Sequence, residues 1–352
     1  MSLECAKCTN YPCRVGRTDL GPDACPMQGD FPAFEALYGD EGQRSRAIQA
    51  ALIEAEGYGR WTRLKEVAEF ANRIEAKPVG LAYCTTTARE AALVARYLRS
   101  SGLEVVMPPQ SQECNPLAQA ALLADQETKL NVICGMSVAH EAIFIRASAV
   151  PVTVLVARDT RLRHNPVAAL YTSDGYSQSL LYGHRRTQER PLLGDDTATL
   201  ECVGESLAEA AGGGFNRTQE VMEFAHGLGV THIGVSFCVG FRTEARVLTR
   251  VLEANGFKVS SACCKSGAVS KETLGLSDSQ KVRPGQPEMM CNSLAQAALL
   301  NREGVELALI LGQCVGHDSA TIGQLKAPTV CLVAKDRVLA HNTVAALYEL
   351  ER

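Results

Sequence analysis

Val79-Gly80-Leu81-Ala82-Tyr83-Cys84 returns in the second half of the chain as Ile233-Gly234-Val235-Ser236-Phe237-Cys238. A short apolar run that ends on a cysteine, present twice, fixes the frame for everything around it. Ahead of it, Glu66-Val67-Ala68-Glu69-Phe70-Ala71 is matched by Glu220-Val221-Met222-Glu223-Phe224-Ala225. Behind it, Cys114-Asn115-Pro116-Leu117-Ala118-Gln119 is matched by Cys291-Asn292-Ser293-Leu294-Ala295-Gln296, and both halves close with His-Asn and Val-Ala-Ala-Leu-Tyr, at His164 to Tyr171 and His341 to Tyr348. Order and approximate spacing are kept, so the chain carries one structural unit twice.

Each copy alternates β-rich apolar runs with helical patterns. In the second copy the expected strands are Ile233–Phe237, Phe257–Ala262, Leu307–Leu311 and Thr329–Ala334. Helical patterns lie between them, such as Arg242–Asn255, stopped by Gly256, and Asn292–Asn301, opened by a polar cap. Continuous apolar strands separated by helices predict an α/β fold: a parallel sheet covered on both faces. We therefore expect two repeated Rossmann-like units forming a pseudo-dimer. The divisions are a cysteine-rich segment over 1–44, a first unit over 45–171, a polar linker over 172–198 and a second unit over 199–352. A Gly-, Pro- and Ser-rich insertion between Cys264 and Cys291 reads as a loop.

The 352 residues are 46% hydrophobic and 21% charged, a globular composition with room for about two domains. A net charge of −4 with scattered basic residues, apart from Arg185-Arg186, argues against nucleic acid and against an anionic membrane surface. The sequence shows no secretory signal and no apolar run of membrane-spanning length, so a cytoplasmic, reducing location is expected. Fourteen cysteines in such a compartment point to metal ligation or redox chemistry rather than a disulfide framework.

Topology gathers the cysteines of the second copy. Cys238 follows the first strand, Cys263 and Cys264 the second, Cys291 precedes a helix, and Cys314 follows the third strand. In a parallel sheet all these positions fall at the carboxyl edge, where open α/β folds bind ligands, and helix N-termini there favour thiolates. These five are the candidate cofactor ligands. Only one of Cys263 and Cys264 is expected to point inward, because neighbours on an extended chain face opposite ways. The first copy keeps Cys84 and Cys114 but has Ser137 in the place of Cys314, and Pro109 and Gln110 in the places of Cys263 and Cys264. It reads as a degenerate unit. Cys134, Cys331 and Cys202 read as core residues. At the N-terminus, Cys5-x2-Cys8-x4-Cys13 followed by Cys25-Pro26 suits a metal centre that supplies fold energy, and this segment is expected to bind it independently. The spacing alone does not choose between zinc and iron–sulfur.

His317, three residues after Cys314, and His341, after the fourth strand beside Asp336, are the candidate proton donors, with Asp336 as their acidic companion. His140 and His164 occupy the same places in the first copy, so a helix-cap or loop-packing role is the competing reading. Gly212-Gly213-Gly214 is not a phosphate loop, because no strand leads into it and no Lys-Ser/Thr follows.

Phe237-Cys238-Val239-Gly240, Cys263-Cys264-Lys265, Met290-Cys291-Asn292, Cys314-Val315-Gly316-His317-Asp318 and Lys335-Asp336-Arg337-Val338-Leu339-Ala340-His341-Asn342 together resemble a family of cysteine-rich metal-binding proteins with a domain of unknown function. Its members come from bacteria and archaea, many of them anaerobic. Typical members resemble the N-terminal segment plus one unit. They often carry a further cysteine shortly after Cys-Cys-Lys, where this chain has Ser266-Gly267-Ala268, a difference that bears on cluster type. The resemblance implies metal binding and no particular reaction.

The leading expectation is an iron–sulfur protein of the 4Fe–4S kind with one cluster at the N-terminus and one in the second unit. It would have a redox or catalytic role toward a small-molecule substrate or an electron-transfer partner. A non-enzymatic metal or cluster carrier, and a zinc-structured protein whose thiols transfer sulfur, are the alternatives.

Overall fold

Runs such as Leu307-Ala308-Leu309-Ile310-Leu311 are buried along their whole length, as strands covered on both faces must be. A computed structural model describes residues 3–23, 25–29, 31–109, 114–182 and 214–350. Gln110, Arg185, Arg186, Cys202 and most of the expected linker lie outside the described residues. The first copy runs α1 (Phe34–Tyr38), α2 (Glu41–Gly57), α3 (Arg63–Arg73), β1 (Val79–Tyr83), α4 (Ala88–Ser100), β2 (Val105–Val106), α5 (Pro116–Asp125), β3 (Leu130–Cys134), α6 (Val138–Ala147), β4 (Val152–Val156), α7 (Val167–Tyr171) and α8 (Gln178–Tyr182). The second runs α9 (Arg217–Gly227), β5 (His232–Phe237), α10 (Arg242–Ala254), β6 (Lys258–Cys263), α11 (Ser293–Glu303), β7 (Leu307–Leu311), α12 (His317–Ile322), β8 (Thr329–Val333) and α13 (Ala345–Glu349).

Both sheets are parallel and share one topology, β2-β1-β3-β4 and β6-β5-β7-β8. The fold is thus the duplicated α/β arrangement expected from the repeat. In each sheet the chain moves outward from the first strand and then crosses to its other side. The strand order therefore reverses between β1 and β3 and between β5 and β7, which opens a crevice beyond the carboxyl ends of those strands. Local signals are shared as well. Asn115 and Asn292 cap α5 and α11 by accepting the amides of Ala118 and Ala295 at 2.8 and 3.2 Å.

The two copies interlock. Arg63, at the start of α3, is wholly buried and reaches into the second copy: its side chain donates to the carbonyls of Gln313 and Lys335 and meets Asp318 Oδ2 at 2.5 Å. Arg217, at the start of α9, returns the contact. It donates to the carbonyls of Met136 and Arg158 and meets Glu141 Oε2 at 2.8 Å. The cores are exchanged in the same way. Val167 and Leu170 of α7 join the core of the second copy, while Val344 and Leu347 join that of the first. Breaking either buried ion pair by removing one partner costs on the order of 3–5 kcal/mol, because it strands the other charge.

The N-terminal segment adds an edge contact. Ser261 of β6 donates its amide to the Leu3 carbonyl at 2.6 Å and accepts the Ala6 amide on its hydroxyl at 2.9 Å. Tyr11 is buried with its ring edge-on to Phe237, centroids 6.3 Å apart. The segment is therefore docked on the second copy rather than standing apart from it. No helix among the described residues is long and apolar enough to cross a membrane.

Candidate metal centre

Four thiols meet beyond β5, β6 and β7. Cys238, the residue after β5, lies within hydrogen-bonding reach of both Cys264 and Cys314, and Cys264 also reaches Cys291. Each is delivered by a different local device. Cys238 opens a 3-10 turn (Val239–Phe241) whose Gly240 amide points back at its sulfur at 3.4 Å. Cys264 turns out of β6 and accepts the Val239 amide at 3.2 Å. Cys291 precedes the cap of α11. Cys314 follows Gly312, whose φ of +64° and close approach to the Phe241 ring leave no room for a side chain. All four are buried.

Glu54, on α2, closes the ring. Its two oxygens lie 3.8 Å from Cys291 Sγ and 3.5 Å from Cys314 Sγ. His317 completes a compact group, in which ligand atoms of Glu54, Cys314 and His317 all lie within 4.8 Å of one another. The ring of His317 is buried, yet its Nδ1 has no hydrogen-bond partner among the described residues.

Cations press on the sulfurs directly. Lys335 Nζ donates to Cys238 at 2.8 Å and Cys314 at 3.6 Å, Arg337 Nη2 to Cys314 at 3.0 Å, and Lys265 Nζ to Cys291 at 3.4 Å. Burial opposes charge on each of these groups, but the surrounding anions outweigh it. Lys335 is raised above its usual range by the charges of Cys238 and Cys314, and Lys265 by those of Cys291 and Cys264. Burial likewise opposes ionisation of Glu54, and Arg337, Lys265, Lys271 and His317 together still hold its carboxyl well below the usual range. His317 is raised against its own burial by Cys291 and Cys314. Among the thiols, Cys291 is held well below the usual range by the hydrogen bond from Cys264, while Cys314 is pushed up to about 12, first by its contact with Cys238 and then by burial. Four buried thiols in mutual contact, with two lysines and one arginine donating to their sulfurs, can hold a metal core as thiolates whose charge the cations offset. The donor set fits such a group.

Cys263 belongs elsewhere. It contacts Cys13 and, together with Cys5, Cys8, Cys13 and Cys25, lines a cavity of about 270 Å³ between the N-terminal segment and β6. Cys8 Sγ accepts the Tyr11 amide at 3.3 Å, and burial raises Cys5 to about 11. The adjacent Cys263 and Cys264 thus divide between two thiol groups, and their own thiols are also in contact. The placement of Cys263 with the second-copy ligands is corrected accordingly: it is the last residue of β6, on the edge where the N-terminal segment docks.

Asp336 and His341 are also placed otherwise than the sequence suggested. Asp336 accepts backbone amides from Arg63 at 2.8 Å and from Val338 and Leu339 at 2.9 Å, so its oxygens anchor the turn and the other copy's helix. Lys335 and Arg337 contact sulfur while Asp336 between them turns away, the alternation of an extended chain. His341 Nδ1 accepts the Asp336 amide at 3.3 Å, and the ring lies against Phe241 at 4.4 Å. Asp159 and His164 repeat these turn contacts in the first copy.

Glu54 is the functional residue that sequence reasoning missed. Its signal was present: Ala47, Ala50, Ala51 and Glu54 run at i, i+3, i+4 and i+7, which puts a carboxylate on the buried stripe of α2.

A family model described as "Protein of unknown function (DUF1847)" matches residues 27–108, 106–155 and 186–332. The chain belongs to this family. The family match spans both copies, in keeping with the duplication. An uncharacterised protein of Methanocaldococcus jannaschii is 39% identical over 132 residues, 38% of this chain and 66% of that relative's length. Two structures of Dph2 from Pyrococcus horikoshii, one containing a 4Fe–4S cluster, align at 12% identity over 82% of this chain and 91% of theirs, with TM-scores of 0.24 and 0.23. Likeness that slight says nothing about the chemistry of this chain.

Proposed function

We propose that this DUF1847 protein is an iron–sulfur protein with two centres side by side, serving redox or small-molecule chemistry at the carboxyl edge of the second copy. Cys238, Cys264, Cys291 and Cys314 would hold one centre, and Cys5, Cys8, Cys13, Cys25 and Cys263 supply the thiols of the other. The observation that carries this reading is the division of Cys263 and Cys264 between two thiol groups. It creates a continuous sulfur path from Cys13 through Cys263 and Cys264 to Cys238.

An iron–sulfur cluster supplies one-electron chemistry when bound. The chain's own groups then do the rest. Lys335, Lys265 and Arg337 neutralise the sulfur charge, the Val239 and Gly240 amides orient it, and His317 holds a proton beside Cys314. In this reading the N-terminal centre, covered by a short segment, exchanges electrons with a partner and the buried second centre faces the substrate.

Iron, sulfide and zinc analysis of protein purified without oxygen tests the proposal. Several irons with matching sulfide, lost in part in Cys8→Ser and in part in Cys264→Ser, is the expected result. Zinc without iron would contradict it.

A further inference from the structure

The first copy is not chemically silent at its carboxyl edge. Cys84 and Cys114 occupy the positions of Cys238 and Cys291, and their thiols lie within hydrogen-bonding reach of each other. Ser137 stands in the place of Cys314, and its hydroxyl caps α6 by accepting the His140 amide at 3.4 Å. The position of Cys264 is taken by Gln110, so two thiols remain of four. Arg158 stands in the place of Lys335 and keeps its task, donating from Nη1 to Cys84 Sγ at 3.3 Å, while Thr86 Oγ1 donates to the same sulfur at 3.3 Å. Cys114 sits against the backbone, 3.9 Å from the Tyr83 carbonyl, and is partly exposed where Cys84 is buried. Two touching thiols with a fixed guanidinium are too few for a cluster and well suited to a disulfide.

We infer that Cys84 and Cys114 form a reversible dithiol–disulfide couple that exchanges with low-molecular-weight disulfides. The protonation pattern agrees with this geometry. The hydrogen bond from Cys114, opposed by burial and helped by Arg158, lowers Cys84 to about 4, and the same contact raises Cys114. The pair therefore shares one proton and one negative charge.

The exchange balances as follows. Cys114, the sulfur a reagent can reach, attacks a disulfide RS–SR as its proton passes to the Cys84 thiolate; the S–S bond breaks and RS⁻ leaves. That thiolate takes the proton from Cys84 and departs as RSH. The Cys84 thiolate then attacks the Cys114 sulfur of the mixed disulfide, forming the Cys84–Cys114 bond and expelling the second RS⁻. The protein pair loses two electrons and the reagent gains them. Arg158 keeps Cys84 anionic between the two steps. This couple is separate from the metal centres and stands or falls without them.

Full-length protein, purified without oxygen, is treated with oxidised glutathione, quenched with N-ethylmaleimide and mapped by tryptic peptide mass. Cys84 and Cys114 fall in separate tryptic peptides, 74–89 and 100–129. The expected product is one cross-link between these peptides, reversed by dithiothreitol. Cys84→Ser should retain a stable glutathione adduct on Cys114, Cys114→Ser should react at least about tenfold more slowly, and both should keep full metal content. Alkylation of both cysteines with no cross-link in the unmodified protein would overturn the inference, as would loss of a metal centre in Cys114→Ser with its fold intact.

Discussion

The carboxyl edge of β1–β4 and that of β5–β8 begin from the same backbone and end with different chemistry. Both place a cysteine after the first strand, a cysteine before an Asn-capped helix, and a cation after the fourth strand. In the second copy Lys335 contacts two sulfurs and Arg337 adds a second cation to Cys314. In the first, Arg158 touches Cys84 and Thr160 stands where Arg337 would be. Topology fixes where a site can form, and four or five side chains decide whether it gathers four thiols or two. The carboxylate of the richer site, Glu54, comes from α2 of the first copy, so the second copy's edge is completed across the interface.

The largest effect separates the two edges outright. Cys238→Ala or Cys314→Ala should abolish one metal centre, whereas Cys84→Ala should leave metal content unchanged. Equal loss from Cys84→Ala would make the first copy a ligand donor and erase the contrast.

The interlocking arginines test whether the copies are equivalent in stability where they differ in chemistry. Arg63→Met and Arg217→Met should each destabilise by on the order of 3–5 kcal/mol, because Asp318 and Glu141 are left buried and unpaired. Pairing Arg63→Met with Asp318→Leu should recover much of the loss. Denaturant unfolding of the single and double variants reads both. A marked inequality between the two arginine variants would show that one repeat carries the other.

Glu54→Gln removes the carboxylate that lies against Cys291 and Cys314. One negative charge less beside Cys291 and Cys314 should raise the reduction potential of that centre by on the order of tens of millivolts, leaving the N-terminal centre unmoved. Potentiometric titration of both centres checks this.

The smallest effect concerns His341, which burial, then Lys335 and Arg337, lower to about 4. Its folded value lies below its unfolded one, so the unfolded chain binds more protons between about pH 6.5 and 4. Stability from this group is present above that window and is lost as pH falls through it, by on the order of 1–2 kcal/mol given its partial exposure. His341→Asn should flatten the acid limb of the stability curve. An unchanged slope would exclude the turn histidine as its source.

Much of this architecture was legible in the sequence because it rests on apolar runs and on repetition. Ile233–Phe237 and Leu307–Leu311 could be read as buried strands, and parallel strands force Cys238, Cys264 and Cys314 to one edge. What could not be read was contact between elements with no covalent or periodic link. The same Arg stands three residues before Glu66 and before Glu220, yet nothing in the sequence says that each arginine docks on the opposite copy. Which of Cys263 and Cys264 turns inward was unreadable for a similar reason. Alternation says that neighbours diverge, but the partner on the far side of β6 is an N-terminal segment whose docking is a tertiary fact. Asp336 attracted attention as the acid beside a histidine, while the flanking Lys335 and Arg337 meet the sulfurs.

The division of Cys263 and Cys264 between two centres is tested most directly by substituting each with serine in protein purified without oxygen, then measuring iron and the electron paramagnetic resonance of the reduced form. Cys264→Ser should remove or alter the signal of the second-copy centre alone, and Cys263→Ser should perturb the N-terminal centre alone. If both substitutions change the same signal, or neither changes any, the two-centre account is wrong.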